Sequence, residues 1–370
     1  MRIAIDARKL RDYGIGTYVR NLLRHLARID RTTEYVLLCR PADVPALAAL
    51  GENFRTVPER AGGYSFREQI SVPLDLRRER IDLFHAPHYV LPPLVPCRSV
   101  VTIHDCIHLR FPQYLPNQFA YAYARSSLWV ATHRASRILT VSEASKRDIL
   151  KYFRVPESKI DVIYNALDDR LGEAPSDDEI RQVRERYQLN DPFVLYAGNI
   201  KPHKNLERLI DAFHALRKTG LEHVKLLIIG DEISKYATLR RSVHRHKLHK
   251  HVRFFGFVPD KTLACLYRLA GVFVFPSLYE GFGLPPLEAM ASGTPVITSN
   301  VSSLPEVVGD AALMIDPYNP GAIADAMRRV LTEPALAAGM RERGLARVAQ
   351  FSWDRSVRRI REIYGEVLGG

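Results

Sequence analysis

"VFVFPSLYEGFGLPPLEAMASGTPVITSN", residues 272–300, decides the fold. VFVFPS and PVITSN are apolar nearly throughout, and the stretch between them is a glycine-rich turn followed by a helix that begins near Pro285 or Pro286. Two strands joined through a helix run parallel, and strands apolar on both faces are covered on both faces. The turn carries more chemistry than a connection needs. Gly281 and Gly283 let successive N–H groups of the Gly281-Phe282-Gly283-Leu284 run point outward, and the helix adds its positive N-terminal end. Such a cradle suits a phosphate or the hydroxyls of a sugar. Glu280 before the turn can accept hydrogen bonds from sugar hydroxyls. Glu288, read in the first helical turn, can take both hydroxyls of a ribose. Glu288 alone could merely complement the helix dipole and the glycines merely shape the turn; the whole stretch reads as a site.

Outward from this unit the same alternation extends in both directions. FVLYAG, KLLIIGD, VRFFGF and ALMIDP complete a second-half sheet, while RIAIDA, EYVLLC, IDLFHA, RSVVTIH, RILTVS and IDVIY, with helical stretches between them, form one in the first half. The polar, turn-rich NALDDRLGEAPSDDE separates the two. The expected architecture is α/β, with two doubly wound Rossmann-like domains over residues 1–185 and 186–370 and an interdomain cleft at the carboxyl ends of the strands. The last helix is expected to be able to pack back on the first domain.

Composition narrows the function classes. The 370 residues are 46% hydrophobic and 25% charged, with no run of the 18 to 20 apolar residues that a membrane-spanning helix needs. The alternating apolar start MRIAIDARKL reads as a strand and not as a signal peptide, which points to the cytoplasm. Cys39, Cys97, Cys106 and Cys265 lie far apart with no histidine at metal-ligand spacing, so buried free thiols are expected and neither zinc nor disulfides. The net charge of +12 is uneven: residues 1–167 hold 25 Lys+Arg against 16 Asp+Glu, an excess of +9. That field favours polyanions, among them phosphorylated small molecules, an acidic lipid surface or nucleic acid.

The E-x7-E pattern, filled as Glu280-GFGLPPL-Glu288 and continued by AMASGTPVITSN, resembles the hallmark of retaining glycosyltransferases of family 4, which have the GT-B fold. The likeness covers essentially the whole chain: DARKLRDYGIGTYVRNLL, VVTIHDCIHLRFPQY, ILTVSEASKRDIL and YAGNIKPHKNLERLIDAF are similar to the branch of bacterial mannosyltransferases that build polysaccharide or glycan chains. The resemblance implies that the second domain holds the nucleotide-sugar. Glu288 then takes the ribose, Glu280 faces the transferred sugar, and the N–H groups of Phe282, Gly283 and Leu284 lie near sugar and β-phosphate. Lys204 corresponds to the lysine that neutralises the diphosphate, and as a lysine exposed at a helix start it is expected to matter little for folding. Where many members have an arginine after the glycine this chain has Asn199, so one phosphate contact is missing or falls to Lys201. His104 corresponds to a histidine beside the transferred sugar, with His108 and Asp105 as weaker candidates and Asp105 equally suited to capping the next turn.

DYGIGTYV resembles half of a dinucleotide fingerprint, but Val19 stands where a third glycine belongs and no ribose-binding acid follows. The family instead implies that Gly14 and Gly16 lie where diphosphate and acceptor meet. In FGFVPDKTLACLY, the backbone of Val258 and the carboxylate of Asp260 are implied beside the nucleobase, where a carboxylate can accept from both N1–H and the exocyclic amine of guanine; Asp260 is also a good helix N-cap. The expected activity is transfer of a hexose, mannose from GDP-mannose first, with UDP-glucose or UDP-N-acetylglucosamine as the alternative donor, to a glycan or lipid-linked acceptor. A noncatalytic nucleotide-sugar sensor is the alternative of another class. No cofactor is expected: no D-x-D motif follows a strand, so no metal is required, and nucleic acid is not an expected partner because E-x7-E would be idle in a nucleic-acid binder. The basic first half, with the aromatic stretch LRFPQYLPNQFAYAYARSSLWVATHRA, fits peripheral attachment to an anionic membrane.

Overall fold

The computed structural model describes residues 1–12, 14–60, 65, 67–168, 174–230 and 236–369. They form two compact units, one of Met1–Asn165 with Ser352–Gly370, the other of Ala166–Phe351. The first unit is built on β1 (Arg2–Asp6), β2 (Glu34–Cys39), β3 (Phe54–Pro58), β4 (Leu83–Ala86), β5 (Arg98–Ile103), β6 (Arg137–Thr140) and β7 (Ile160–Val162). Its sheet runs β3-β2-β1-β4-β5-β6-β7, parallel throughout. The second unit has β8 (Phe193–Ala197), β9 (Lys225–Ile229), β10 (Val252–Gly256), β11 (Val272–Phe275), β12 (Val296–Ser299) and β13 (Ala312–Ile315), in the order β10-β9-β8-β11-β12-β13 and again all parallel. Both orders reverse direction at the first strand. The switch points lie between β1 and β4 and between β8 and β11, and at such points the loops after the two central strands diverge and leave a crevice.

The strand read from VFVFPS is fully buried, with Phe273 opposite Val296 on one side and Leu195 on the other. Burial on both faces is what makes it apolar at every position. β3 was not legible as a strand: it is an edge strand whose Arg55 is exposed, and FRTVP lacks the continuous apolar signature of its neighbours.

The division at Asn165/Ala166 falls ahead of 185/186. The helix Asp177–Arg186 packs on the helix Asp260–Leu269 and pairs Glu179 with Lys261 at 3.6 Å, which draws the polar connector into the second unit. Its sequence reads as linker because Val183 is its one buried residue. The closing helix Trp353–Gly369 belongs to the first unit and packs on the helix Ile15–Ile29. Ser356 Oγ donates to the Tyr164 carbonyl at 2.7 Å, and Arg361 Nε reaches Asp30 at 2.9 Å. All four cysteines are free, and all but the partly buried Cys97 are buried.

Candidate active site

In the second unit the loops after β8 and β11 carry the expected residues on both sides of the switch point, and hydrogen bonds tie the loops together. Leu278 N–H donates to the His203 carbonyl at 2.7 Å. Asn205, left-handed at φ 63°, donates from Nδ2 to the carbonyls of Pro276 (3.0 Å) and Pro317 (2.7 Å), joining three strand ends. This bracing sets the ion pair at the centre: Lys204 Nζ stands 2.6 Å from Glu280 Oε1 and 5.3 Å from the centroid of the Phe275 ring. Lys204 is 9% exposed, so it is not the solvated lysine expected from its place before a helix. The short turn Pro202–Lys204 ends inward, over the apolar end of β11, and burial is tolerable because the charge is paired.

The turn itself is pinned by two serines that the sequence reading passed over. Ser302 Oγ accepts from Glu280 N–H at 3.2 Å and donates to Glu280 O at 2.7 Å; Ser303 Oγ lies 3.0 Å from Glu280 O and 2.7 Å from Phe282 O. Gly283, at φ 107° and ψ 60°, precedes the helix Leu284–Ala291, and a Cβ there would come within 2.7 Å of Leu304 Cδ2. A side chain at 283 is excluded twice, by conformation and by space. The helix begins at Leu284, one or two residues before Pro285 or Pro286, so Glu288 falls in its second turn and the first turn holds no acid. Complementing the helix dipole is therefore not what Glu288 does.

Glu288 Oε2 accepts from the buried Tyr267 hydroxyl at 2.9 Å. Burial, opposed by that hydrogen bond and assisted by the negative charges of Asp260 and Asp168, pushes its pKa up to about 7. The same contact and burial raise Tyr267. Asp260 is exposed and is the first residue of the helix Asp260–Leu269, whose N-cap is Pro259; the capping role suggested by the sequence falls one residue earlier. The charge of Asp260 is felt at Glu288, and Val258 beside it is buried. Asn199 keeps its Oδ1 buried with no hydrogen-bond partner among the described residues, while Lys201 is exposed. No group of three or more potential metal-ligating side chains converges among the described residues.

In the first unit His104 follows β5. Its Nε2 lies 3.0 Å from the Pro87 carbonyl, which can only accept, so Nε2 carries the proton and Nδ1 the lone pair. Burial lowers its pKa and favours the neutral ring. Its backbone carbonyl accepts from Ser145 Oγ at 2.9 Å. Asp105 Oδ1 accepts from Ile107 N–H at 2.9 Å and so caps the turn, and His108 meets Tyr89 edge-on at 6.1 Å. Gly14, at φ 52°, leads into the helix Ile15–Ile29, and a Cβ on Gly16 would lie 2.5 Å from the Leu10 carbonyl oxygen. Both glycines are thus required by the backbone of this turn whatever it binds.

Comparison with known proteins agrees with this geometry. The model of the Glycosyltransferase Family 4 domain matches residues 13–171, and that of Glycosyl transferases group 1 matches residues 177–347. O-antigen chain mannosyltransferase B of Escherichia coli is 37% identical over 281 residues, 75% of this chain and 73% of that one. Serotype-specific mannosyltransferase WbdA of Escherichia coli is 31% identical over 264 residues, 70% of this chain and 32% of the much longer relative. The solved structure of Anabaena HepE, in complex with UDP-glucose, superposes with a TM-score of 0.79 at 20% identity over 99% of this chain and 100% of that one. The two parallel, Rossmann-like sheets with their switch-point loops define a GT-B glycosyltransferase. The chain belongs to the glycosyltransferases of family 4.

Proposed function

We propose that this enzyme transfers mannose from GDP-mannose, with retention at the anomeric carbon, to a hydroxyl of a growing glycan of the O-antigen type, free or lipid-linked. The observation that carries the donor half of the reading is the braced Lys204 and Glu280 pair at the β8/β11 switch point, with Glu288 on the helix that follows. Mannose and the O-antigen class rest on the relative that spans three quarters of the chain. In this reading the ammonium of Lys204 and the N–H groups of Phe282, Gly283 and Leu284 stabilise the departing diphosphate, Glu280 holds the sugar hydroxyls and Glu288 the ribose. His104 serves the transferred sugar, and the leaving phosphate takes the acceptor's proton. Charge neutralisation by Lys204 and a helix N-terminus makes a metal unnecessary, so transfer persists in EDTA.

Guanine is the reading supported by Asp260, which is exposed at the start of its helix, follows the buried Val258 and acts through its charge on Glu288. The test is a donor panel of GDP-mannose, UDP-glucose and UDP-N-acetylglucosamine with α-mannobiose as acceptor, read by product mass spectrometry and by the anomeric coupling in NMR. An α-linked trisaccharide from GDP-mannose alone is expected. Transfer only from a uridine donor overturns the guanine assignment, and binding of GDP-mannose without any product favours a nucleotide-sugar sensor.

Among the described residues no helix is long and apolar enough to cross a membrane. Attachment to an anionic surface is part of the proposal. It rests on the excess charge of residues 1–167 and on the helix Gln118–Arg134, where Phe119 is 85% and Trp129 52% exposed beside Arg125 and Arg134.

A further inference from the structure

A chain of buried polar groups in the first unit leads from the closing helix to His104. Tyr364 of that helix places its hydroxyl 2.6 Å from Nδ1 of His85 on β4. Nε2 of His85 lies 2.8 Å from Oγ1 of Thr102 on β5, and the same Oγ1 lies 3.1 Å from the hydroxyl of Tyr18 in the helix Ile15–Ile29. Tyr18 then sets its ring edge-on to the His104 imidazole, with centroids 4.9 Å apart and planes at 85°. Trp353, the first residue of the closing helix, meets the Tyr18 ring on another side at 5.7 Å. Tyr364, His85, Thr102 and Tyr18 are all buried, so each hydroxyl and ring nitrogen must find its partner within this set or leave a desolvated polar atom.

Such a chain is costly to bury where apolar side chains would fill the same core. His85 is held neutral, its pKa lowered to about 3 by burial and by the neighbouring His104. It therefore works as a donor and acceptor linking two hydroxyls and carries no charge. The chain orients Tyr18, and Tyr18 is the member that touches His104. The ring of His104 is thereby limited from two directions: by the Pro87 carbonyl on Nε2 and by the Tyr18 ring on its side. What remains defined is the direction in which the lone pair of Nδ1 points.

We propose that Tyr364, His85, Thr102 and Tyr18 are positioning residues for His104, and that the closing helix is for this reason part of the transfer machinery and not only a clamp on the fold. The proposal rests on the reading that His104 serves the transfer. It predicts that these side chains act on catalysis through one ring, and that nucleotide binding in the second unit is indifferent to them.

The test pairs kinetics with a direct view of the imidazole. Transfer from GDP-mannose to α-mannobiose is measured for Tyr18→Leu, Thr102→Val, Tyr364→Phe, His104→Ala and the double variants with His104→Ala, together with GDP affinity by calorimetry. The His104 ring is followed in 15N-histidine-labelled protein, its signals assigned with His104→Gln. Each relay variant is expected to lower kcat at least fivefold with GDP affinity and donor KM unchanged, to shift the His104 ring nitrogens from the Nε2-protonated pattern toward a mixture of tautomers, and to cost nothing further once His104 is alanine. Tyr364→Phe keeps the bulk of the ring and guards against misfolding in Tyr18→Leu. Relay losses that multiply with the His104→Ala loss, or ring signals identical to wild type in every relay variant, overturn the positioning role. His104→Ala with wild-type transfer overturns the reading of His104 itself, and the relay's catalytic role with it.

Discussion

The two units share one strand plan and differ in what they put at its switch point. The second unit presents full charges, an ammonium and a carboxylate 2.6 Å apart with hydroxyls and an asparagine bracing the loops that carry them. On β4 and beyond β4 and β5 the first unit places imidazoles that burial keeps neutral, His85, His88 and His104. The contrast runs against overall charge: the first unit holds 29 Lys+Arg against 19 Asp+Glu, an excess of +10, and the second 24 against 22, only +2. Net charge is a property of surfaces that meet solvent and partners, whereas a site uses single charges where charge develops in the reaction. On the proposed reading, the departing diphosphate calls for a fixed cation, while the transferred sugar beside His104 does not.

The largest expected effect tests the charged half of this contrast. Lys204→Ala should lower kcat/KM about 100-fold or more, roughly 3 kcal/mol of transition-state stabilisation. Because Lys204 is buried against Glu280, the substitution also leaves a carboxylate without its partner, and the melting temperature should fall. The double variant Lys204→Met with Glu280→Gln should recover melting temperature but not activity. Unchanged steady-state kinetics in Lys204→Ala would remove the charge from the mechanism.

Asp260→Asn comes next. It loses an exposed carboxylate in the first turn of its helix and should leave the melting temperature nearly unchanged. The KM for GDP-mannose should rise about tenfold, near 1.4 kcal/mol. An unaltered KM would detach Asp260 from the base.

Glu288 sharpens the comparison through pH. Its folded pKa of about 7 stands above the ordinary 4.5, so the native state holds this proton more tightly than the unfolded chain does. The stability that follows is complete below pH 4.5 and is lost as pH rises through 7. Glu288→Gln cannot ionise, so relative to wild type it should melt higher at pH 8 than at pH 5, by about 2 to 4 °C in melting-curve comparisons. Donor binding should weaken in the same variant, since a ribose diol prefers the carboxylate. A pH-independent difference in melting between the two proteins would show that Glu288 is not the buried acid described.

The smallest effect concerns the basic half. Sedimentation with vesicles of acidic lipid should fall as salt rises, because screening shortens the field to about 8 Å at physiological ionic strength. Trp129→Ala should weaken it by less than loss of Arg125 and Arg134 together. Equal sedimentation with neutral and acidic vesicles at low salt would leave the +9 without that role.

Both sheets were legible because a strand covered on two faces has to be apolar at nearly every position, as in β2, β8 and β11. β3 escaped because its five residues mix Arg55, Thr56 and Pro58 into the run and leave only Phe54 buried. Glu280, Glu288, Lys204 and His104 could be named as candidates from the sequence, since His104 directly follows β5 and the others lie in the segments that follow β8 and β11. The sequence could not say that Lys204 is buried against Glu280. Nothing local distinguishes a lysine that points to water from one folded over the ring of Phe275, 71 residues away. Ser302, Ser303 and Asn205 look like ordinary caps in one dimension, and their hydrogen bonds to Glu280, Phe282, Pro276 and Pro317 exist only because the parallel sheet brings the ends of β8, β11, β12 and β13 together. The sequence by itself determined the strand plan and the chemical groups at the strand ends, because burial and turn geometry act on neighbours along the chain. Tertiary structure alone decided which groups pair, which are neutral and which helix closes the first unit, because pairing and desolvation depend on distances between residues hundreds of positions apart, such as His85 and Tyr364.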